Sequence, residues 1–502
     1  MSQVQILSLS TSFMKGNFMN YINALKNHLN QTITFNGANA LKSTGSELVD
    51  LFGTIGALRD RKDVEIEHKF SMAFAEDRLL AMKLLFYARD IRGGLGERHV
   101  AKVIYKHLAN HYPDVLRKNL DSIVYFGRWD DLLVLLDTSL SADVVALINK
   151  QLLSDMDSMT PSLLAKWLPS INTSSVATRQ HAQTIMKGLH FSAKKYRQTL
   201  STLRKRIDVL EVKMSAKEWD LINYSAVPSN AMMIYSKAFM HQDEERFACY
   251  LAGVKTGNVK INATVLYPYN ITEKFLYNKE TENHEVLEQQ WKNMPDFIED
   301  NESNVLVMAD VSGSMTGRPM ATSIGLAIYF AERTKGAFAN YYMTFSASPT
   351  LLEVKGDTLY ERVRNVLSSD WGMNTDFEKA LKAILDTAVE QNIDQDELPK
   401  TLIVVSDMQF DQSVTNTNKN WTFYKKMKVM YQVAGYEIPE IVFWNVNSMS
   451  NVFQSAAKYE GVKLASGQSA SVFKSILNTK TLTAYDFMVE VLSGERYEMV
   501  LI

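Results

Sequence analysis

Asn304-Val305-Leu306-Val307-Met308-Ala309 runs directly into Asp310-Val311-Ser312-Gly313-Ser314. The apolar run lacks polar alternation, the pattern of a strand buried on both faces. After the loop, Pro319 suits a first helical turn, where its missing N–H costs nothing. Met320, Ile324, Ala327, Ile328 and Ala331 then fall on one helical face. Strand, loop, helix puts Asp310, Ser312 and Ser314 at a strand's carboxyl end, the ligand crevice of an open α/β sheet. A carboxylate and two hydroxyls converging on one point suit a hard divalent cation.

The same grammar extends outward. Strand-like runs cover 339–345, 350–354, 401–406, 440–444 and 461–465, with helical patterns over 319–334, 358–367, 377–391 and 421–433. Leu402-Ile403-Val404-Val405 and Ile441-Val442-Phe443-Trp444 read as parallel strands covered by helices, and 339–350 as a hairpin-like edge. Asp407 ends the 401–406 run, so a second carboxylate emerges at the same sheet edge. Thr375 stands in a loop before the helix that begins at Phe377. Together these residues offer five oxygen ligands, some direct and others through water. Mg²⁺ keeps its waters and needs few carboxylates, so it is the favoured ion, ahead of Mn²⁺ or Ca²⁺. Without a cation the two carboxylates would repel and raise one another's pKa.

The first half has another rhythm. Glu76 to Asp90, Ala101 to Asn110 and Ser122 to Leu136 are built from good helix formers, separated by Arg92-Gly93-Gly94-Leu95-Gly96, His111-Tyr112-Pro113 and Phe126-Gly127-Arg128. Helix, short turn, helix predicts an irregular α-solenoid. The expected organisation is an N-terminal extension over 1–40 and an all-α helical-repeat (HEAT-like) region with a connector over 41–300. A doubly wound, mostly parallel α/β domain follows over 301–480, then a tail over 481–502.

A chain of 502 residues is too long for one ordinary core. A net charge of −2 confines any nucleic-acid site to a local patch. The single cysteine, Cys249, excludes an intrachain disulfide and reads as a small core residue. No apolar run approaches bilayer length and the N-terminus lacks signal-peptide character, so a soluble, cytoplasmic protein is expected. The histidines lack metal-ligand spacing.

Two basic stretches are candidates for RNA. Lys187, Lys194, Lys195, Arg197, Arg204, Lys205 and Arg206 occur without an acidic residue between Lys187 and Arg206, with Phe191 and Tyr196 among them. Cations neutralise phosphates and aromatic rings stack on exposed bases. Arg89, Arg92 and Arg98 flank the glycines at 93–96. Those glycines do not form a P-loop, because the Lys-Ser/Thr that should follow is missing; they predict a tight turn requiring positive φ.

The Asp-x-Ser-x-Ser, Thr, Asp set, in this order, resembles the metal-ion-dependent adhesion site of von Willebrand factor A domains. The resemblance implies a first loop of Asp310, Ser312 and Ser314, a second with Thr375 and a third with Asp407. It also implies a metal whose shell is completed by an acidic side chain from a protein partner. Asp376 and Asp411 are nearby carboxylates that either assist or serve as caps and surface groups. A domain of this kind behind a helical solenoid resembles the Ro autoantigen (TROVE-module) architecture, in which the helical ring binds RNA. A closer resemblance is to an uncharacterised family of plants and large viruses, carried by Ile91 to Arg98, Phe126 to Asp131, Lys166 to Ser170, Trp371 to Asp376 and Ser406 to Asp411.

The function expected is a non-enzymatic RNA-binding scaffold with a Mg²⁺-dependent docking site. The alternative is a protein-interaction adaptor that uses the metal site without nucleic acid. A metal-dependent hydrolase lacks an evident general base or second metal.

Overall fold

The computed structural model describes residues 21–22, 25–277, 284–298, 304–345, 349–369, 377–410, 423–447, 452–469, 472, 475–476 and 483–502. A largely helical N-terminal region leads into a six-stranded mixed sheet.

A small hairpin comes first: β1 (Gln31–Ile33) pairs antiparallel with β2 (Asn39–Leu41). The large sheet is built from β3 (Val305–Ala309), β4 (Tyr341–Thr344), β5 (Leu351–Glu353), β6 (Thr401–Ser406), β7 (Glu440–Asn445) and β8 (Val462–Ser466), in the order β5-β4-β3-β6-β7-β8. All neighbours are parallel except β4 and β5, the edge hairpin expected from the sequence. From β3 the chain winds outward through β4 and β5, then returns to β6 and winds the other way. The order therefore reverses between β3 and β6, and the crevice beyond their carboxyl ends is where open α/β sheets bind ligands. Every residue of β3, β6 and β8 is buried, which explains their unbroken apolar runs.

The helix after the first loop spans Arg318–Arg333, with Pro319 in its first turn. Its counterpart in the N-terminal region is Pro268–Tyr277, whose Thr272 hydroxyl donates to the Ala321 carbonyl at 2.8 Å. One hydrophobic core continues from the first helices, through Phe52, Leu85 and Ile104, into sheet residues such as Leu306, Val404 and Phe443. A second, smaller cluster around Phe239, Phe247 and Tyr250 lies among the helices Ser229–Gln242 and Glu244–Lys255. The two halves are interlocked at backbone level. The Gly56 N–H donates to Ser466 Oγ at 3.1 Å, which donates in turn to the Phe52 carbonyl at 2.8 Å. A Cβ on Gly56 would stand 2.5 Å from Gly467 backbone atoms, so no side chain fits there.

Several local expectations change. The helix expected over 76–90 is present as Arg78–Arg89, and a separate helix, Asp63–Glu76, precedes it. Asp77 separates them and caps the second by accepting from the Leu80 N–H at 2.8 Å. The pattern at 122–136 breaks at Gly127 into an α-helix, Leu120–Phe126, and a 3₁₀ turn, Trp129–Leu135. Cys249 is exposed rather than a core residue, because its helix buries Phe247, Tyr250 and Leu251 instead. The C-terminal residues are more than a tail: Ala484–Leu492 is a helix that buries Phe487 and Met488. Beyond it Arg496 pairs with buried Asp90, and the Asn119 side chain brackets Leu501, donating to its carbonyl at 2.7 Å and accepting its N–H at 2.9 Å. The glycine turn at 93–96 is a tight inter-helix connection, as expected. Gly96 has φ +68, and a Cβ on Gly94 would lie 2.0 Å from the Tyr87 carbonyl oxygen.

No helix among the described residues is long and apolar enough to cross a membrane.

Candidate functional site

Asp310 and Asp407 leave the sheet side by side, because β3 and β6 are paired in register up to Ala309 and Val405. The ladder continues one step further, with the Asp310 N–H donating to the Val405 carbonyl at 3.0 Å. Both carboxylates are buried, at 0% and 2% exposure, whereas Ser312 is half-buried and Ser314 exposed. The site is thus a pair of sunken carboxylates beneath a rim of hydroxyls.

Three of the four carboxylate oxygens have a hydrogen-bond donor. Asp310 Oδ1 accepts from the Ser312 N–H at 2.8 Å, and its Oδ2 from the Ser406 hydroxyl at 2.7 Å. Ser406 Oγ also accepts from the Met408 N–H at 3.1 Å. The hydroxyls of Ser312 and Ser314 lie 3.1 Å apart. Asp407 Oδ1 accepts from the Gln409 N–H at 3.1 Å, while its buried Oδ2 has no partner in hydrogen-bond geometry among the described residues, the Ser314 hydroxyl being near enough only to favour the carboxylate's charge. A buried carboxylate oxygen left without a donor is costly unless a cation or water meets it.

The electrostatics agree. Burial first, and then the Asp407 charge, raise the Asp310 pKa to about 6, against the pull of its hydrogen bonds from Ser312 and Ser406. Burial raises Asp407 as well, opposed by the Ser314 hydroxyl and by backbone N–H groups. Two crowded carboxylates with oxygen-only neighbours are of the kind that could hold a hard divalent cation such as Mg²⁺. Among the described residues no cluster of three or more His, Cys, Asp or Glu could hold a metal, so a cation here would rely on hydroxyls and water as well. Thr375, Asp376 and Asp411 lie outside the described residues.

Three features of the site were not anticipated from sequence. Ser406 is a direct partner of Asp310; its place immediately before Asp407 was the available signal. Met408 adopts the left-handed region at φ +65, which turns the chain sharply after Asp407 at a cost on the order of 1 kcal/mol. The loop is also held from a distance. The Phe35 N–H donates to Gln409 Oε1 at 2.8 Å and Asn36 Nδ2 to the Gln409 carbonyl at 2.8 Å, so the β1–β2 turn braces the Asp407 loop. Asn447 Nδ2 donates to the Ser314 carbonyl at 3.1 Å.

The basic residues divide into two groups. Lys187, Lys194, Lys195, Arg197 and Lys205 are exposed, and Lys195 Nζ sits 4.1 Å from the centre of the Phe191 ring. Arg204, Arg206 and Tyr196 are committed to the fold. Arg204 donates to the carbonyls of Ala165 (2.9 Å) and Leu168 (2.8 Å) and to Ser170 Oγ (3.1 Å). Arg206 donates to the Met156 carbonyl at 2.9 Å, near the end of the helix Ser141–Asp157. Tyr196 is buried and donates to the Pro169 carbonyl at 2.9 Å, which removes the stacking role expected for it. Arg92 is exposed and donates to the Tyr125 carbonyl at 2.9 Å.

Arg98 belongs to a denser group. It pairs with Asp130, which Arg128 also contacts at 3.0 Å, while Arg89 holds buried Asp131 at 2.6 Å and Lys102 approaches it at 3.7 Å. Four cations thus surround two carboxylates, and the Lys102 ammonium is pushed below its ordinary pKa by burial and then by Arg98. The Arg128 guanidinium lies 4.0 Å from the centre of the Trp167 ring. Through Trp167 and the residues up to Ser170, this group adjoins the helix Ala193–Arg206 that carries the other basic stretch. The two stretches, about a hundred residues apart in sequence, therefore both adjoin Lys166 to Ser170.

The chain matches a family described as a domain of unknown function (DUF2828) over residues 34–160 and 138–303, and a second domain of unknown function (DUF7788) over residues 304–498. The first match spans more than half of the chain, which belongs to that family. An uncharacterised protein of Acanthamoeba polyphaga mimivirus is 28% identical over 512 residues, covering 92% of this chain and 87% of the relative. Among solved structures, the Ro (RSR) protein of Deinococcus radiodurans overlays with a TM-score of 0.41 at 13% identity, covering 90% of this chain and 100% of that one.

Proposed function

We propose that this member of the DUF2828 family is a non-enzymatic RNA-binding scaffold whose sheet region docks an acidic group of a protein partner through a divalent cation. The observation that carries the RNA reading is that one segment, Lys166 to Ser170, is contacted both by the group of Arg98, Lys102 and Arg128 and by the helix of the second basic stretch. Exposed cations at Lys194, Lys195, Arg197 and Lys205 would neutralise phosphates, and Arg98, Lys102 and Arg128 exceed the charge of the carboxylates they contact. Such an interface binds mainly through the backbone of the nucleic acid and is strongly salt-dependent.

Asp310, Asp407, Ser312 and Ser314 would hold the cation, as in the adhesion-type sites of von Willebrand factor A domains that the motif resembles. Bound Mg²⁺ would supply positive charge at the rim, where an incoming carboxylate completes the shell. The chain's own residues do the rest. The Ser406 and Ser312 hydrogen bonds orient Asp310, the left-handed turn at Met408 aims the Asp407 loop, and the β1–β2 turn keeps that loop in place.

RNA binding is tested by filter binding of the full chain to RNA across a salt series. Exchange of Lys194, Lys195, Arg197 and Lys205 for Gln is expected to weaken binding, with a log–log salt slope smaller by roughly 3, about 0.7 per lost phosphate contact. Unchanged affinity in that variant refutes the assignment. The second reading, a protein adaptor without nucleic acid, draws on the unpartnered Asp407 Oδ2, since a metal-docking site needs no RNA. It requires purified protein free of nucleic acid.

A further inference from the structure

The helix Ala193–Arg206 forms one wall of a cleft of about 710 Å³, closed by residues 170–172 and by 208–221. That volume lies within the roughly 300–1,000 Å³ of sites for small ligands and is far too small for a nucleic-acid duplex. Its lining joins two kinds of surface. Leu200, Val209, Val212 and Leu221 supply apolar walls, and Val212 and Leu221 keep 43% and 56% of their surface exposed although both face the cleft. Four cations, Arg197, Arg204, Lys205 and Lys213, stand against two carboxylates, Asp208 and Glu218.

The cations are not equivalent. Arg204 is spent on Ala165, Leu168 and Ser170, and Lys213 on Asp208 at 2.7 Å and the Leu221 carbonyl at 2.8 Å. Whereas Lys213 is paired with Asp208, Arg197 and Lys205 are exposed. With Ser201 between them they occupy positions i, i+4 and i+8, one stripe along the helix. Eight residues of helix set them roughly 12 Å apart. That is too far to clasp one small anion, and suits successive charges on a chain. Ser170, Asn172 and Ser201 add hydrogen-bonding groups at the apolar wall, which is what a base edge needs.

We propose that this cleft receives unpaired nucleotides of a single-stranded RNA segment, with bases against Val212 and Leu221 and phosphates along Arg197 and Lys205. The proposal rests on the RNA-binding reading and narrows it to the single-stranded class. The cleft abuts Lys166 to Ser170, so a strand leaving it would meet Trp167 and the Arg128 and Arg98 group next. A strand entering a pocket of mixed apolar and cationic lining covers its base faces against the apolar wall and neutralises its backbone together, whereas a duplex hides its bases and offers only the backbone.

The test fills the cleft without changing its charge. Ser201→Trp puts an indole between the two cations at an exposed helical position, where folding is checked by circular dichroism. Fluorescence anisotropy then compares a 12-nucleotide oligo(U) strand with a blunt RNA duplex of equal length, using the full chain. The expected result is about a tenfold loss of affinity for the single strand and no change for the duplex. The Arg197→Gln, Lys205→Gln double variant is expected to lower the single-strand salt slope by about 1.4. Wild-type binding that survives Ser201→Trp unchanged, or an equal loss for duplex, overturns the cleft while leaving RNA binding standing. A wild-type chain that binds neither probe overturns the parent reading and this one with it. An acidic peptide that binds the wild-type chain and loses that binding in Ser201→Trp, while oligo(U) binding is unaffected, would assign the cleft to a protein segment and likewise overturn the proposal.

Discussion

If the proposed cation site binds Mg²⁺, its response to the ion should depend steeply on pH, in a direction the buried carboxylates dictate. Asp310 is raised from 3.8 to about 6, by burial first and by Asp407 second. Folding therefore favours its protonated form. The stabilisation is fully present below pH 3.8 and is lost as the pH rises through about 6; the span corresponds to roughly 3 kcal/mol. Above pH 6 the metal-free chain carries an ionised, crowded carboxylate pair. Metal binding needs that ionised form, so at pH 5, where Asp310 is mostly protonated, Mg²⁺ should bind about tenfold more weakly than at pH 7. In thermal denaturation with and without 10 mM MgCl₂, the gain in Tm should be small at pH 5 and reach a few degrees at pH 7.5. Asp310→Asn removes the charge while keeping the shape. It should raise the Tm of the metal-free chain at pH 7.5 and abolish the response to Mg²⁺. A Mg²⁺ response of equal size at both pH values, or one that survives in Asp310→Asn, would refute the reasoning.

Other consequences follow from the packing. Gly56→Ala forces a methyl group to within 2.5 Å of the Gly467 backbone, so chemical denaturation should show a loss of about 1–3 kcal/mol. Asp131→Ala leaves the buried Arg89 guanidinium without its carboxylate and should cost about 3–5 kcal/mol by the same measurement. Arg204→Gln should lower Tm by removing three donated hydrogen bonds, whereas Lys194→Gln, on the exposed side of the same helix, should leave Tm unchanged.

Much of the sheet was legible because its strands are short apolar runs bounded by loop residues. The 401–406 strand and the 377–391 helix fall at the expected residues, and the β4–β5 pair matches the hairpin-like edge read over 339–350. The β1–β2 hairpin was not. Its three-residue strands carry little period, and they persist through partners far away in sequence, among them Phe453 and Gln409. The C-terminal anchor was hidden for a similar reason: Arg496 means nothing until Asp90 is brought beside it. In the candidate site, Asp310, Ser312, Ser314 and Asp407 could be named from loop chemistry, but Ser406 gains its role only from the pairing of β3 with β6.

By itself, then, the sequence determined the local elements and the oxygen-bearing residues at strand ends, because periodicity and turn chemistry are encoded over a few neighbours. Tertiary structure alone decided which charges are available. Lys194 and Arg204 look alike in a basic stretch, yet one faces solvent and the other is consumed by the carbonyls of 165–168. It also decided that Asp310 and Asp407 share one burial site and that Asp407 keeps an oxygen without a donor. Burial and proximity between residues a hundred positions apart are properties of the packed chain, and no short-range pattern carries them.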